Sequence, residues 1–431
     1  LEGRDPLVEA WLARAAGRRG DAAALSTPSG VIAYQDLYAA ARSVAGGLVD
    51  RGVTAGDRVA LALPSEPLVV ALHGCLLIGA VAVPIDLRLT PSERKARAAG
   101  TVLVLDELIA GPDVSPAAIE PAAPATLMFT SGTTAGPKPV ALSYDNWLWN
   151  AIGSAMALGL DPEERWLCPM PLAHVGGLSI QLRSAIYGTT VLLHERFDTD
   201  RALAALMDPD EGLTLVSLVP TMLSRLLDAG LREPPSLRRV LLGGGPIAPA
   251  LLRRARHAGV DVAASYGMTE ACSQIATDGF ALLGVELRIA ETDSEVLVRG
   301  KTVAAGSLSP DGWLHTGDLG TLDDAGRLVI LGRKADTIVT GGENVAPVEV
   351  ESVLLEHPAV ADVAVFGRPD SEWGEAIVAR VVAVDGAAVT GDELRAHCAR
   401  RLAAFKVPKR VELVATVPRG VTGKLLRRAL R

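Results

Sequence analysis

Aromatic residues are scarce in this chain of 431 residues, where Phe, Trp and Tyr together make up 4%. Basic residues are not in excess either: 42 Lys and Arg stand against 50 Asp and Glu, a net charge of −8. Without a basic stripe or stacking rings, nothing points to nucleic acid as a partner. The four cysteines, Cys75, Cys168, Cys272 and Cys398, show no Cys-x-x-Cys spacing, and the seven histidines no His-Glu-x-x-His. They therefore read as reduced core thiols rather than a disulfide framework or a zinc site. Leu1 to Arg4 carry no apolar run of the kind a secretory signal has, so a cytoplasmic location is the expectation. A long apolar stretch from Leu68 to Ile85 is broken by His73, Gly74, Gly79 and Pro84. It reads as a buried helix from Pro67 to Ile78 and a short strand from Ala80 to Ile85, not as a membrane span. No Ser/His/Asp or Cys/His arrangement for nucleophilic catalysis is visible.

The chain does have ample apolar content, 49% against 21% charged residues. Its length exceeds what one ordinary core serves, so two or three domains are expected. Helices and strands alternate from residue 5 through Ile85, with a strand at Gly30 to Tyr34, a helix at Gln35 to Asp50 and a strand at Val59 to Leu63. That rhythm predicts α/β architecture with a parallel sheet. Thr90 to Pro124 reads as surface helix and connection.

The most informative stretch is Thr130-Ser-Gly-Thr-Thr-Ala-Gly-Pro-Lys138-Pro-Val140. A short apolar run, Ala125 to Phe129, precedes it as a buried strand, and Ser143-Tyr-Asp-Asn146 follows as a helix start. Thr130, Ser131, Thr133 and Thr134 offer hydroxyl donors, and Gly132 and Gly136 allow close backbone approach. With the ammonium of Lys138 these groups suit a polyphosphate. The stretch is no P-loop, because Lys138 lies between two prolines and no Ser or Thr follows it.

Several other segments sit where strands are expected to end. His174 precedes Gly176-Gly177, Val240 to Leu242 runs into Gly243-Gly244-Gly245, and Asp261 to Ser265 into Tyr266-Gly267-Met268-Thr269-Glu270. Such ends are where open α/β sheets bind ligands, though a lone His or a glycine turn also serves the core. Downstream, Glu295 to Arg299 alternates as an exposed strand, and Trp313 to Asp318 enters a hairpin turned at Asp323 to Gly326. Taken alone, Asp318 is equally a turn cap and Arg333 a surface charge. After Arg333 the pattern changes to short α+β elements closing on a basic helix, which places a domain boundary between residues 332 and 333.

In family order these segments resemble the adenylate-forming enzymes: acyl-CoA synthetases, luciferases and carrier-loading adenylation domains. The likeness spans nearly the whole chain. Pro171 to Gly188, Gly243 to Pro246 and Tyr266 to Gln274 are most similar to the 2-succinylbenzoate–CoA ligases of menaquinone biosynthesis. The resemblance implies a large N-terminal α/β domain with layered sheets, residues 1–332, and a small mobile α+β domain, residues 333–431. It implies ATP, Mg²⁺ and the co-substrate CoA, a small carboxylic acid as substrate, and leaves room for a homodimer. By that likeness Thr130, Ser131, Gly132, Thr133, Thr134 and Lys138 hold the phosphates. Gly243, Gly244, Gly245, Ser265, Tyr266, Gly267, Met268 and Thr269 line adenine, and Asp318 and Arg333 the ribose. Glu270 binds the metal, and His174, with Gly244 and Gly267, borders the acyl pocket. Gly341, Gly342 and Glu343 lie beside the pantetheine, Asp336 is the hinge, and Lys424 bridges carboxylate and α-phosphate. Thr130 and His174 join Lys424 as catalytic candidates. Arg183, on the helix after His174, is a candidate for a second substrate carboxylate, because burying an unpaired carboxylate is costly. A carrier-loading domain, a luciferase-type enzyme and a non-catalytic nucleotide sensor share these motifs.

Overall fold

The computed structural model describes residues 9–130, 138–419 and 425–430. The β-periodicity of the first 280 residues is used on both faces. In the strand Arg165–Cys168, Trp166 and Cys168 join one core and Leu167 another; in Arg239–Leu242, Leu241 joins the first and Val240 and Leu242 the second. A strand with apolar side chains on both faces must be covered on both, and two sheets result.

The larger sheet has nine strands. Its centre is parallel, running from Val262–Met268 through Arg239–Leu242, Leu215–Leu218, Arg165–Cys168 and Thr190–Leu193 to Ala23–Thr27. Antiparallel strands finish both edges, Ser273–Thr277 and Phe280–Ala281 at one and Gly30–Ala33 at the other. The second sheet has five strands in the order Leu103–Leu105, Arg58–Leu61, Val81–Pro84, Pro124–Phe129 and Pro139–Ser143, the last antiparallel. The helices Trp11–Arg19, Tyr34–Asp50, Ser65–Leu77, Tyr144–Leu158 and Val175–Tyr187 contribute to the core that also takes one face of each sheet. Thr199–Met207, Pro220–Asp228 and Pro249–His257 cover the far face of the larger sheet. The apolar run near residue 70 is divided as its glycines suggest, into the helix Ser65–Leu77 and the strand Val81–Pro84. No helix among the described residues is long and apolar enough to cross a membrane.

Beyond residue 284, a four-stranded antiparallel sheet follows, from Val285–Ile289 to Leu328–Arg333. The short turn Lys334–Asp336 separates it from a last five-stranded sheet, built on the hairpin Val360–Asp370 and Gly374–Ala383 and backed by the helices Pro347–Leu354 and Gly391–Ala399. All four cysteines are free and buried.

The helix start read at Ser143 to Asn146 is there: Ser143 caps the helix Tyr144–Leu158 and forms a capping box with Asn146. The strand before it, Pro139–Ser143, paired with Pro124–Phe129 with Phe129 opposite Pro139, was not foreseen. Two local expectations need correction. The strand Glu295–Gly300 is buried over its first four residues rather than exposed, because it lies inside its sheet with a core beneath. The chain closes on a single 3₁₀ turn, Arg427–Ala429, not a basic helix.

Candidate active site

Parallel strands end together on one rim of the larger sheet, and the polar segments follow directly from those ends. Gly243, Gly244 and Gly245 leave the strand Arg239–Leu242 beside Ser265, whose carbonyl oxygen would lie 2.9 Å from a Cβ at residue 243. Gly244 has φ +77, which a residue with a side chain rarely adopts. The strand Val262–Met268 carries Ser265, Tyr266, Gly267 and Met268 and passes into the turn Thr269–Ala271 with Glu270. Gly267 answers a backbone demand first: a Cβ there would sit 1.7 Å from the Ser273 carbonyl oxygen, at a register shift in the strand pair.

Tyr266, Asp318 and Arg333 come together. The Tyr266 hydroxyl donates to Asp318 Oδ2 at 2.8 Å, and Arg333 Nε lies 2.6 Å from Asp318 Oδ1. Asp318 and Arg333 are register partners on adjacent strands, so the sheet itself sets this pair. Burial, with the neighbouring Asp318 carboxylate, pushes the Tyr266 phenol far above its usual range, so it stays a donor. The pair aligns a carboxylate, a phenol ring and a guanidinium on a part-buried surface.

The strand Pro139–Ser143, which follows the hydroxyl-rich stretch in sequence, reaches the same rim and packs against the turn Thr269–Ala271. Thr130 N donates to the Lys138 carbonyl at 3.0 Å, closing the base of the hairpin. Ser131, Gly132, Thr133 and Thr134 lie outside the described residues, as does Lys424. Among the described residues no cluster of three or more His, Cys, Asp or Glu could hold a metal. Half-buried Glu270 has no hydrogen-bond or ion-pair partner on its carboxylate among them. One free carboxylate fits Mg²⁺ that takes its remaining ligands from phosphate oxygens and water.

His174 caps the helix Val175–Tyr187, with Nε2 3.6 Å from Asp86 Oδ2. Asp86 is itself gripped by Arg88, Nε at 2.8 Å and Nη2 at 2.6 Å. Burial opposes its ionisation, but the Arg88 and His174 contacts outweigh that and hold the carboxyl far below the usual range. Sequence reasoning missed Asp86 and Arg88. A carboxylate directly after a fully buried parallel strand was the available signal.

Arg183 is 1% exposed, deep between two helices. Its Nε and Nη2 donate to Asn150 Oδ1 at 3.2 and 2.5 Å, its guanidinium lies 5.8 Å from the centre of the Trp166 ring, and Nη1 has no hydrogen-bond partner among the described residues. Gly341 and Gly342 form the turn between the strands Ile338–Thr340 and Glu343–Val345 of the last sheet, with Glu343 opposite Thr340, and Gly341 N donates to the Trp373 carbonyl. That turn is not hydrogen-bonded to the Tyr266 group. Asp336 lies in the turn between the last two sheets and pairs with Arg427, Nε to Oδ2 at 3.1 Å. Arg427 also grips Glu351 at 2.5 and 2.9 Å and donates to the Val365 carbonyl. The sequence suggested a basic helix there. The structure instead folds Arg427 into the core, opposite two carboxylates.

Comparisons with known proteins cover nearly the whole chain. The family model described as AMP-binding enzyme matches residues 12–105 and 97–307, and that of the AMP-binding enzyme C-terminal domain matches 349–424. The 2-succinylbenzoate–CoA ligase of Bacillus licheniformis is 37% identical, over 97% of this chain and 98% of its own. The o-succinylbenzoate CoA synthetase of Bacillus subtilis, solved with the acyl-adenylate intermediate OSB-AMP, superposes with a TM-score of 0.91 at 36% identity, covering 99% of this chain and 98% of that one. Its complex with ATP and magnesium ion gives 0.90 at 35% identity, covering 99% and 100%. The ordered motifs, the rim on which they meet and these full-length matches lead to one conclusion: the chain belongs to the AMP-binding, adenylate-forming enzyme family.

Proposed function

We propose that this chain is an ATP-dependent acid–CoA ligase acting on 2-succinylbenzoate. The observation that carries the reading is the meeting, on one rim, of the Tyr266–Asp318–Arg333 group, the Glu270 carboxylate, unpaired among the described residues, and the strand pair ending at Thr130 and Lys138. That is a nucleoside site beside a polyphosphate site. In the first step a substrate carboxylate oxygen attacks the α-phosphorus of ATP, the bond to the bridging oxygen breaks, and pyrophosphate leaves. In the second the CoA thiolate attacks the acyl carbon of the adenylate and AMP leaves. Neither step needs a protein nucleophile; holding anions in line and offsetting their charge does the work.

The roles follow from position. Asp318 would accept from the ribose hydroxyls, with Arg333 beside it, while the Tyr266 ring and the backbone of Gly243, Gly244, Gly245, Ser265, Gly267, Met268 and Thr269 would border adenine. Thr130, Ser131, Gly132, Thr133, Thr134 and Lys138 would hold the phosphates. Glu270 would hold Mg²⁺, which supplies charge neutralisation on the phosphates when bound. His174, with Nε2 3.6 Å from Asp86 Oδ2, would border the acyl group near Gly244 and Gly267. Lys424 would bridge the carboxylate and the α-phosphate, and Gly341, Gly342 and Glu343 would flank the CoA arm. The unit after residue 332 would turn about Asp336 between the two steps.

A diacid fits because Arg183 presents a buried guanidinium with no carboxylate partner among the described residues. The succinyl carboxylate, on a flexible arm, is the one placed to reach the phosphate, and the ring carboxylate would face Arg183. A cytoplasmic location, where ATP and CoA are both available, belongs to the same proposal. The test is incubation with 2-succinylbenzoate, ATP, Mg²⁺ and CoA, with products separated by chromatography. A CoA thioester with AMP and pyrophosphate is expected. ADP and phosphate would rule out the adenylate route, and adenylation indifferent to CoA would point to another acceptor.

A further inference from the structure

The molecule buries two guanidinium groups and treats them in opposite ways. Arg427 faces Glu351 and Asp336 and makes a bidentate pair with the former. Burial works against its charge, and Glu351 more than offsets that, so its pKa rises. Arg183 is buried further and, besides the Trp166 ring, has only a neutral amide, Asn150, as hydrogen-bond partner among the described residues. Burial pulls its pKa down, yet arginine starts so high that it stays charged.

An uncompensated cation in a protein interior is destabilising, and a carboxylate at the amide's place would relieve it. Asn150 is fully buried on the helix Tyr144–Leu158, and its orientation is fixed by its own bonds. Its Nδ2 donates to the Gln274 carbonyl at 3.3 Å, which leaves Oδ1 for both Arg183 nitrogens. Gln274 belongs to the strand that follows the Glu270 turn, and that strand packs against the helix that carries Arg183. The cation therefore sits directly behind the segment assigned to nucleotide and metal. Nη1 faces no acceptor among the described residues.

We infer that Asn150 is a specificity-determining positioning residue: it orients Arg183 through a neutral oxygen, so that the positive charge remains available to the non-reacting carboxylate of the substrate. This deepens the ligase reading and rests on it. An aspartate of the same shape would form a closed ion pair and discharge the site. An apolar residue would leave the guanidinium without orientation.

The test compares full-length Asn150→Asp with the parent protein on two acids, 2-succinylbenzoate and benzoylpropionate, the same keto acid without the ring carboxylate. KM and kcat are read from AMP release. For Asn150→Asp, KM for the diacid should rise by about thirtyfold or more, the scale of losing a buried charge pair. Its kcat should stay within about threefold, KM for the monoacid should not rise, and the thermal midpoint should not fall. Asn150→Ala adds no charge and gives a second reading, in which preference for the diacid falls while KM for the monoacid holds. Equal rises for both acids, or an unmoved diacid KM in Asn150→Asp, would overturn the inference. So would failure of both variants to fold, which would make Asn150 structural. The two readings fail differently. If the parent protein releases AMP from neither acid, the substrate assignment falls and takes the inference with it. If the parent prefers the diacid and Asn150→Asp still does, only the role of Asn150 falls.

Discussion

At the scale of single residues, a site is recognised by groups left without partners or paired more tightly than stability requires. Glu270 is of the first kind, a half-buried carboxylate with no partner among the described residues. Glu270→Gln removes its charge and keeps its shape, so ATP-dependent adenylation should fall about tenfold or more at low Mg²⁺ and recover in part as Mg²⁺ is raised. A magnesium titration of pyrophosphate release checks this, and identical metal dependence in both proteins would make Glu270 structural. Asp318 and Arg333 are of the second kind, and both were legible because each stands in a distinctive segment. Their direct contact was not, because it depends on strand register, which aligns residue 318 with residue 333. Asn150 carried no signal at all. An asparagine within a helix reads as a solvated position until a second helix places an arginine against it, 33 residues away in sequence.

At the scale of elements, apolar runs and strand ends were legible and edge pairings were not. The helix Ser65–Leu77 was foreseen because an apolar run too short and too interrupted for a membrane must be buried. That burial encloses His73, 3% exposed, and holds its pKa down at about 4 against an ordinary 6.5. A depressed histidine costs nothing above the unfolded pKa, where both states are neutral. As pH falls from 6.5 towards 4 the unfolded chain takes the proton first, and stability declines across that window by roughly 3 kcal/mol. His73→Leu should flatten the fall of the urea midpoint between neutrality and acid by about one proton's worth. His194, depressed in the same direction, should still contribute its own slope. The strand Pro139–Ser143 escaped notice because two prolines near its start read as loop. It tolerates Pro139 as the first residue of an edge strand. The short turn that ends the chain replaces a foreseen helix because Arg427 is drawn inward by Glu351 and Asp336, a tertiary demand that local propensity does not contain.

At the scale of the whole molecule, the order of motifs along the chain carried more than any one of them, since segments far apart in sequence together pointed to one family, which the family models match. The change of pattern after Arg333 corresponds to the passage from the four-stranded sheet to the last one, with the turn Lys334–Asp336 between them. If the last unit turns between the two steps, Lys424 should matter to only one of them. Lys424→Ala should lose adenylation by about 10²–10³, the usual cost of removing one preorganised donor where charge develops. Supplied with preformed acyl-adenylate and CoA, the same variant should form thioester at close to the parent rate. Equal losses in both half-reactions, measured separately by rapid quench, would exclude the alternation.

Burial of all four cysteines has a practical side. The thiols of Cys75 and Cys168 are pushed up to about 12, and those of Cys272 and Cys398 are also raised, chiefly by burial. Buried thiols held protonated react poorly with disulfide reagents. An aromatic disulfide dye added to a running assay would therefore count only free CoA, and consumption of that co-substrate becomes a colour change with no background from the enzyme. In a solution without CoA the same dye becomes a gauge of opened molecules, because each chain that unfolds uncovers four reactive sulfurs at once.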